Sequence, residues 1–331
     1  MSDPVPPLPP RPSQDDIEAT VLGAEPRLRA EDVAEAAGIE HERARRLWRS
    51  LGFPDRGEVP AYSDADVEAL RTIVEVMDDG LLDMEMALNV ARGVGLTMAR
   101  LADWEVGAIT QRAEELFAAA GGAEGETTIS WMFAQYGDRF EQLMIYAWRR
   151  HLAAAVARLE SSRSVDHDPG TTELTVGFAD IVGFTALSNE VSREKIGDLV
   201  ELFESRCGDV INSQGGRLIK SMGDAVLFVN DEPLQAFATA EGIINVIGRD
   251  QRMPDVRVGL ASGSVVMRLG DVFGPPVNLA SRLTAVARRN RIIVDHATAE
   301  RLPADQIESR PLPPRPVRGF GVVEPVAVRR P

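Results

Sequence analysis

Two aspartates, Asp180 and Asp224, stand 44 positions apart, each where an apolar run gives out. The first sits in Phe178-Ala-Asp-Ile-Val-Gly-Phe-Thr185, and the second closes Lys220-Ser-Met-Gly-Asp224 at an expected hairpin tip. Either alone is ordinary turn chemistry, since Asp favours strand ends and Gly-Asp favours hairpins. Two carboxylates on adjacent strand ends can instead hold a pair of hard divalent cations against a nucleoside triphosphate. Lys220 strengthens that reading, because it is one of two lysines (with Lys195) in a 331-residue chain whose positive charge is otherwise arginine. The turn Val182, Gly183, Phe184, Thr185 leads into a helix, and its successive N–H groups, expected to face outward, can cradle phosphate oxygens.

A third cluster lies in Asp271-Val-Phe-Gly-Pro-Pro-Val-Asn-Leu-Ala-Ser-Arg282. Asn278 and Arg282 are four apart, on one face of a helix expected from Val277 to Arg288. An amide and a guanidinium directed outward suit a ribose oxygen and a polyphosphate. Asp271 can accept a hydrogen bond from an exocyclic amine. Each cluster has a bland reading as a turn, a cap or a solvated face; their co-occurrence carries the argument.

The elements that must position these residues change character near residue 165. From 14 to 160 the apolar spacing is helical throughout. Ala30 to Ile39 and Glu42 to Arg49 read as helix, glycine turn, helix. Ser63 reads as the N-cap of a helix whose first turn holds Asp64 and Asp66. Two further helices are expected over Leu101 to Ala120 and Ile129 to Leu159, separated by the glycine-rich stretch 121–125. The last carries Trp131, Phe133, Phe140, Tyr146 and Trp148, expected to anchor a bundle. Residues 1–13 read as a disordered proline-rich tail and 161–170 as a linker. Beyond it, strands over Leu174–Phe178, Gly216–Met222, Ala225–Val229 and Val256–Ala261 alternate with helices over Ile196–Ile211 and 233–248. That order, β-α-β-β-α-β, is the ferredoxin-like plan. Strands at Ile292–Asp295 and Val322–Val328 are expected to complete the sheet. The fold class is therefore α+β, a ferredoxin-like domain over 171–331 preceded by an all-α helical bundle.

The three clusters, in this order, resemble the catalytic domain of bacterial class III adenylyl cyclases, of the class IIIc kind, over about residues 170–331. The resemblance implies that Asp180 and Asp224, with the Ile181 carbonyl, bind two Mg²⁺ or Mn²⁺ ions per site. It implies that Lys220 and Asp271 read adenine, where guanylyl cyclases carry Glu and Cys-type residues, and that ATP is the substrate. Asn278 is expected to orient the ribose and Arg282 to stabilise the pentavalent phosphorus. The implied product is cyclic AMP, formed in a head-to-tail homodimer whose sites draw metal ligands from one protomer and the remaining residues from the other.

The first half resembles the helical regulatory domain that precedes such catalytic domains. Arg43-Ala-Arg-Arg-Leu-Trp-Arg-Ser-Leu-Gly-Phe53 and Tyr62-Ser-Asp-Ala-Asp-Val-Glu-Ala-Leu70 carry that similarity. Some relatives are released from inhibition by this domain at acid pH, and His151 and His167 are placed to sense pH. A different reading makes residues 30–50 a DNA-binding helix-turn-helix with Arg43, Arg45, Arg46 and Arg49 on its second helix. The charge disfavours it: residues 1–165 hold 17 Arg and no Lys against 29 Asp and Glu, so nonspecific nucleic-acid binding is not expected. A cyclic-dinucleotide synthase of the same fold would need a different hairpin from Met222-Gly-Asp-Ala-Val226. No membrane span, no secretion signal and a single cysteine, Cys207, together lead to a cytoplasmic expectation.

Overall fold

The structure is a computed structural model and describes residues 14–120, 126–162, 171–268 and 270–331. The chain divides into two compact units, Met1–Ser164 and Val165–Pro331. The expected tail 1–13, the glycine-rich stretch 121–125, and 163–170 of the expected linker, His167 included, lie outside the described residues.

The first unit consists of α1 (Gln14–Leu22), α2 (Ala30–Ala37), α3 (His41–Leu51), α4 (Asp64–Asp78), α5 (Met84–Ala120) and α6 (Glu126–Ser162). Helix α2 stops at Gly38, whose φ of 73° lies in the left-handed region where glycine carries no Cβ penalty. Its N–H and that of Ile39 donate to the Glu35 and Ala34 carbonyls, closing the turn between α2 and α3. Ser63 caps α4, and its own N–H donates to the Asp66 carboxylate at 2.7 Å. Val33, Leu47, Trp48, Tyr62 and Leu70 form the core, with the Trp48 and Tyr62 rings stacked at a centroid distance of 4.6 Å.

Two expectations for this unit need correcting. Helix α5 starts at Met84, not Leu101. Gly93 and Gly95 weaken the helical pattern there, yet the Asp83 carboxylate accepts from the Met86 N–H and starts the helix early. Gly95 serves a packing role: a Cβ there would come within 2.1 Å of the Leu51 carbonyl oxygen, so only glycine lets α3 and α5 approach so closely. The expected aromatic anchor holds only in part: Phe133 and Phe140 are half-buried, and the Trp131 side chain lies outside those described. Tyr146 and Trp148 are 61% and 58% exposed, and the Trp48–Tyr62 stack holds the core instead. Periodicity locates a helix's apolar face without saying what covers it.

The second unit runs β1 (Thr172–Ile181), α7 (Phe184–Glu190), α8 (Arg193–Ser213), β2 (Arg217–Ser221), β3 (Ala225–Asn230), α9 (Pro233–Arg249), β4 (Val256–Arg268), β5 (Asp271–Phe273), α10 (Pro275–Val286), β6 (Ile292–Val294), α11 (His296–Glu300), β7 (Glu308–Pro311), β8 (Arg315–Val317), β9 (Gly321–Val323) and β10 (Val326–Arg329). The main sheet has the order β2-β3-β1-β4-β6-β10-β7. Its first four strands are antiparallel and, with α8 and α9, form the expected ferredoxin-like unit. Strand β4 pairs with β6 in parallel.

Strand β1 is buried on both faces, which its unbroken apolar run requires. Leu174, Val176 and Phe178 cluster with Leu283 and Ala280 of α10, while Ala179 and Ile181 cluster with Phe203 of α8 and Phe237 of α9. Helix α10 lies flush on β4. A Cβ at Gly259 would fall 2.3 Å from the Thr284 amide nitrogen, and the Thr284 hydroxyl also lies 3.3 Å from the Phe178 carbonyl.

Some boundaries also shift in this unit. Helix α10 begins at Pro275 rather than Val277, because proline fits the first helical positions, where no N–H is needed. The expected strand Val322–Val328 is two strands. Val322 and Val323 belong to β9, which pairs with β8, and only β10 joins the main sheet. Pro325 lies between them and has no N–H to donate to a ladder.

Candidate active site

Asp180 lies one residue from the end of β1, opposite Ala225 of β3 on one side and Arg257 of β4 on the other. Asp224 is drawn to that strand end by the backbone, since the Ile181 N–H donates to the Asp224 carbonyl at 2.9 Å. The hairpin between β2 and β3 is tight: Gly223 has φ 73° and the Met222 N–H reaches the Ala225 carbonyl at 2.7 Å. The two carboxylates expected to act together are thus brought together.

Burial pushes the Asp180 carboxyl above the usual range, and the Asp224 charge pushes the same way; Arg257 opposes both. The Arg257 Nε donates to Asp180 Oδ2 at 2.7 Å, its Nη2 is ion-paired with the same oxygen at 2.6 Å, and its Nη1 donates to the Ala285 carbonyl at 3.1 Å. Sequence reasoning did not single out Arg257. Its signal was present, however, as one charge interrupting the apolar run Val256–Ala261. A cleft of about 210 Å³ opens here, lined by Asp180, Arg257, Met222 and Ser281, among others.

Lys220 and Asp271, 51 residues apart, also meet, with Lys220 Nζ 2.5 Å from Asp271 Oδ2. The other Asp271 oxygen accepts the Val272 N–H at 2.8 Å, which fixes the carboxylate's orientation. Cross-strand register places both groups on one sheet face. Phe178 and Lys220 both stand opposite Leu227, and Asp180, two residues from Phe178, shares that side. Asn278 and Arg282 are exposed, one turn apart on α10, and neither lines the cleft beside Asp180.

One expectation fails in the turn after β1. The Val182 N–H does not face outward to a ligand: it donates to the Asp255 carbonyl at 2.8 Å. Gly183 has φ 74° and starts α7. The first amides of a helix have no intrahelical acceptor, so Gly183, Phe184 and Thr185 remain the candidates for phosphate.

The donor chemistry fits hard divalent cations. Asp180 and Asp224 supply carboxylate oxygens. Ile181, whose side chain is buried, can offer only its carbonyl. One or two carboxylates completed by substrate phosphates is how Mg²⁺ is ordinarily held. A cation would also reverse the penalty that burial places on ionised Asp180.

Residues 167–328 match the family model described as the adenylate and guanylate cyclase catalytic domain. The similarity to known proteins extends well beyond that half. An adenylate cyclase of Streptomyces coelicolor is 37% identical over 95% of this chain and 89% of its own length. One from Streptomyces griseus is 36% identical over 95% and 88%. A pH-sensitive adenylate cyclase of Mycobacterium tuberculosis is 31% identical over 91% and 78%. No helix among the described residues is long and apolar enough to cross a membrane. On this breadth of similarity, the chain belongs to the bacterial class III adenylate cyclases.

Proposed function

We propose that the chain converts ATP to 3′,5′-cyclic AMP and pyrophosphate at two composite sites of a homodimer, with the first unit regulating the rate. The 2.5 Å Lys220–Asp271 pair carries this reading. It presents a cationic donor beside an anionic acceptor, the complement of adenine N1 and its N6 amine. Guanine offers O6 and N1–H there, and would set donor against donor and acceptor against acceptor.

Asn278 holds the ribose so that the 3′-oxygen lies in line with the α-phosphorus, and the Arg282 guanidinium neutralises charge gathering on the phosphoryl oxygens. The 3′-hydroxyl gives up its proton to solvent, and its oxygen bonds to phosphorus as the bond to pyrophosphate breaks. Gly183, Phe184 and Thr185 offer amides to the phosphates. Divalent cations held by Asp180, Asp224 and the Ile181 carbonyl would lower the pKa of the 3′-hydroxyl and offset charge on the α-phosphate and leaving group. The second copy follows the family resemblance; within one chain Ser281, Thr284 and Ala285 of α10 line the Asp180 cleft, and Asn278 and Arg282 do not. The helix-turn-helix alternative is weakened because Arg45 and Arg49 are both engaged by Asp55, at 2.5 and 3.3 Å.

Base selectivity supplies the test. Exchanging Lys220 for Glu and Asp271 for Cys together should lower kcat/KM for ATP by roughly 10²-fold or more, because buried polar groups on the base lose their partners. Mn²⁺ binding should change far less. ATP turnover equal to wild type would remove these residues from base recognition.

Regulation is tested by truncation. A chain beginning at Ser164 should still cyclise ATP, yet differ several-fold in specific activity from the full chain, because composite sites tolerate only about 1 Å of misplacement. Activity of the full chain should vary between pH 5.5 and 8 in a way the shorter chain does not share, since histidine is the side-chain type that titrates there. Superimposable profiles would make residues 1–163 a passive appendage.

A further inference from the structure

We propose that Arg257 is a built-in counter-ion for Asp180, holding its Oδ2 when no cation is bound, so that a cation taking both carboxylate oxygens must displace the guanidinium. The inference rests on Asp180 being a cation ligand. Arg257 is not a random surface neighbour: it is the registered partner of Asp180 across β4. Two of its nitrogens converge on the single oxygen Oδ2, at 2.7 and 2.6 Å. Its third nitrogen is fastened to the Ala285 carbonyl of α10 at 3.1 Å, so the fork is held from both ends. Both side chains are largely withdrawn from solvent, 29% exposed for Arg257 and 17% for Asp180.

Asp180 needs such a partner, because an unpaired carboxylate half-buried beside Asp224 would be costly to keep ionised. A guanidinium is well suited: it stays protonated at every relevant pH, so it leaves by displacement and never by losing its proton. A cation on Oδ2 would compete with the two guanidinium nitrogens that now lie 2.7 and 2.6 Å from it. Arg257 is therefore a positioning residue with a cost attached. It preserves the ligand's charge and orientation, and it weakens the first cation by competition.

The two roles give opposite signs on mutation. Mn²⁺ binding to the full-length, nucleotide-free chain can be followed by the electron paramagnetic resonance of free Mn²⁺. If competition dominates, Arg257→Gln should bind Mn²⁺ roughly tenfold more tightly than wild type, the scale of one lost charge-assisted pair. Arg257→Lys, which keeps the charge but loses the fork, should fall between them. The gain should vanish when Asp180→Asn is added to Arg257→Gln. Equal or weaker binding by Arg257→Gln overturns the proposal, since a residue that merely orients Asp180 predicts weakening.

A measurement on the unaltered protein guards against a misfolded variant. The Arg257 Nε–H resonance, protected by its bond to Asp180, should shift and lose protection as Mg²⁺ is added. An unchanged resonance at saturating Mg²⁺ overturns the proposal as well. The cation assignment itself fails separately: Asp180→Asn would then bind Mn²⁺ like wild type even with 3′-deoxy-ATP present.

Discussion

Asp224→Ala is expected to lower the rate of cyclic AMP formation by on the order of 10²-fold or more, and Asp180→Ala by at least as much. The structure explains why the loss should be chemical. Asp224 tips a hairpin closed by backbone bonds, from Met222 N–H to the Ala225 carbonyl and from Ile181 N–H to its own carbonyl, and none of these involves its carboxylate. The fold should therefore survive, with circular dichroism and melting temperature close to wild type. Asp180→Ala removes the partner of Arg257 and leaves a half-buried guanidinium, so it should cost some stability too. Near-normal cyclase activity in folded Asp224→Ala would sink the cation assignment.

The second large effect is complementation. Asp180→Ala and Asn278→Ala homodimers should each be close to inactive. In a two-fold dimer with composite sites, the mixed dimer has one site carrying both defects and one carrying neither. With free exchange half the dimers are mixed, so an equimolar mixture should regain about a quarter of wild-type activity. The measurement is cyclic AMP formation after co-incubation, with mixed dimers verified by affinity tags. Verified mixed dimers without activity would mean that each chain builds its own site.

Much of this site was legible in the sequence because its chemistry is concentrated in short runs. Asp180 and Asp224 each end an apolar strand, and the hairpin geometry that joins them follows from Gly223. The Lys220–Asp271 pair was expected from the family resemblance and not from spacing: 51 positions separate them, and only the sheet brings β2 and β5 into reach. Arg257 was missed for the same reason, since its role comes from register across β4 and not from spacing. The Val182 amide was misjudged because a turn's amides look alike in sequence, whereas the Asp255 carbonyl that claims one lies 73 residues away. In the first half, helix existence was plain and burial was not. Tyr146 and Trp148 have the composition of a core and the exposure of a surface.

The contact between Gly259 and Thr284 bears on how this enzyme can vary. Helix α10 carries Asn278 and Arg282 among its exposed residues, and at Gly259 of β4 its inner side rests on the strand with no β4 side chain between. The same Thr284 reaches the strand that ends in Asp180. The helix and the strand therefore share one mechanical datum, set by the Gly259 backbone and the Thr284 hydroxyl. Substitutions at Gly259, a residue with no functional group of its own and the cross-strand partner of Phe178, would shift the outer residues relative to the carboxylates. In the composite arrangement proposed, such a shift in one copy is felt in the site it completes for the other. Under that proposal, a position silent in any inventory of reactive groups would set the alignment tolerance of the neighbouring subunit's chemistry.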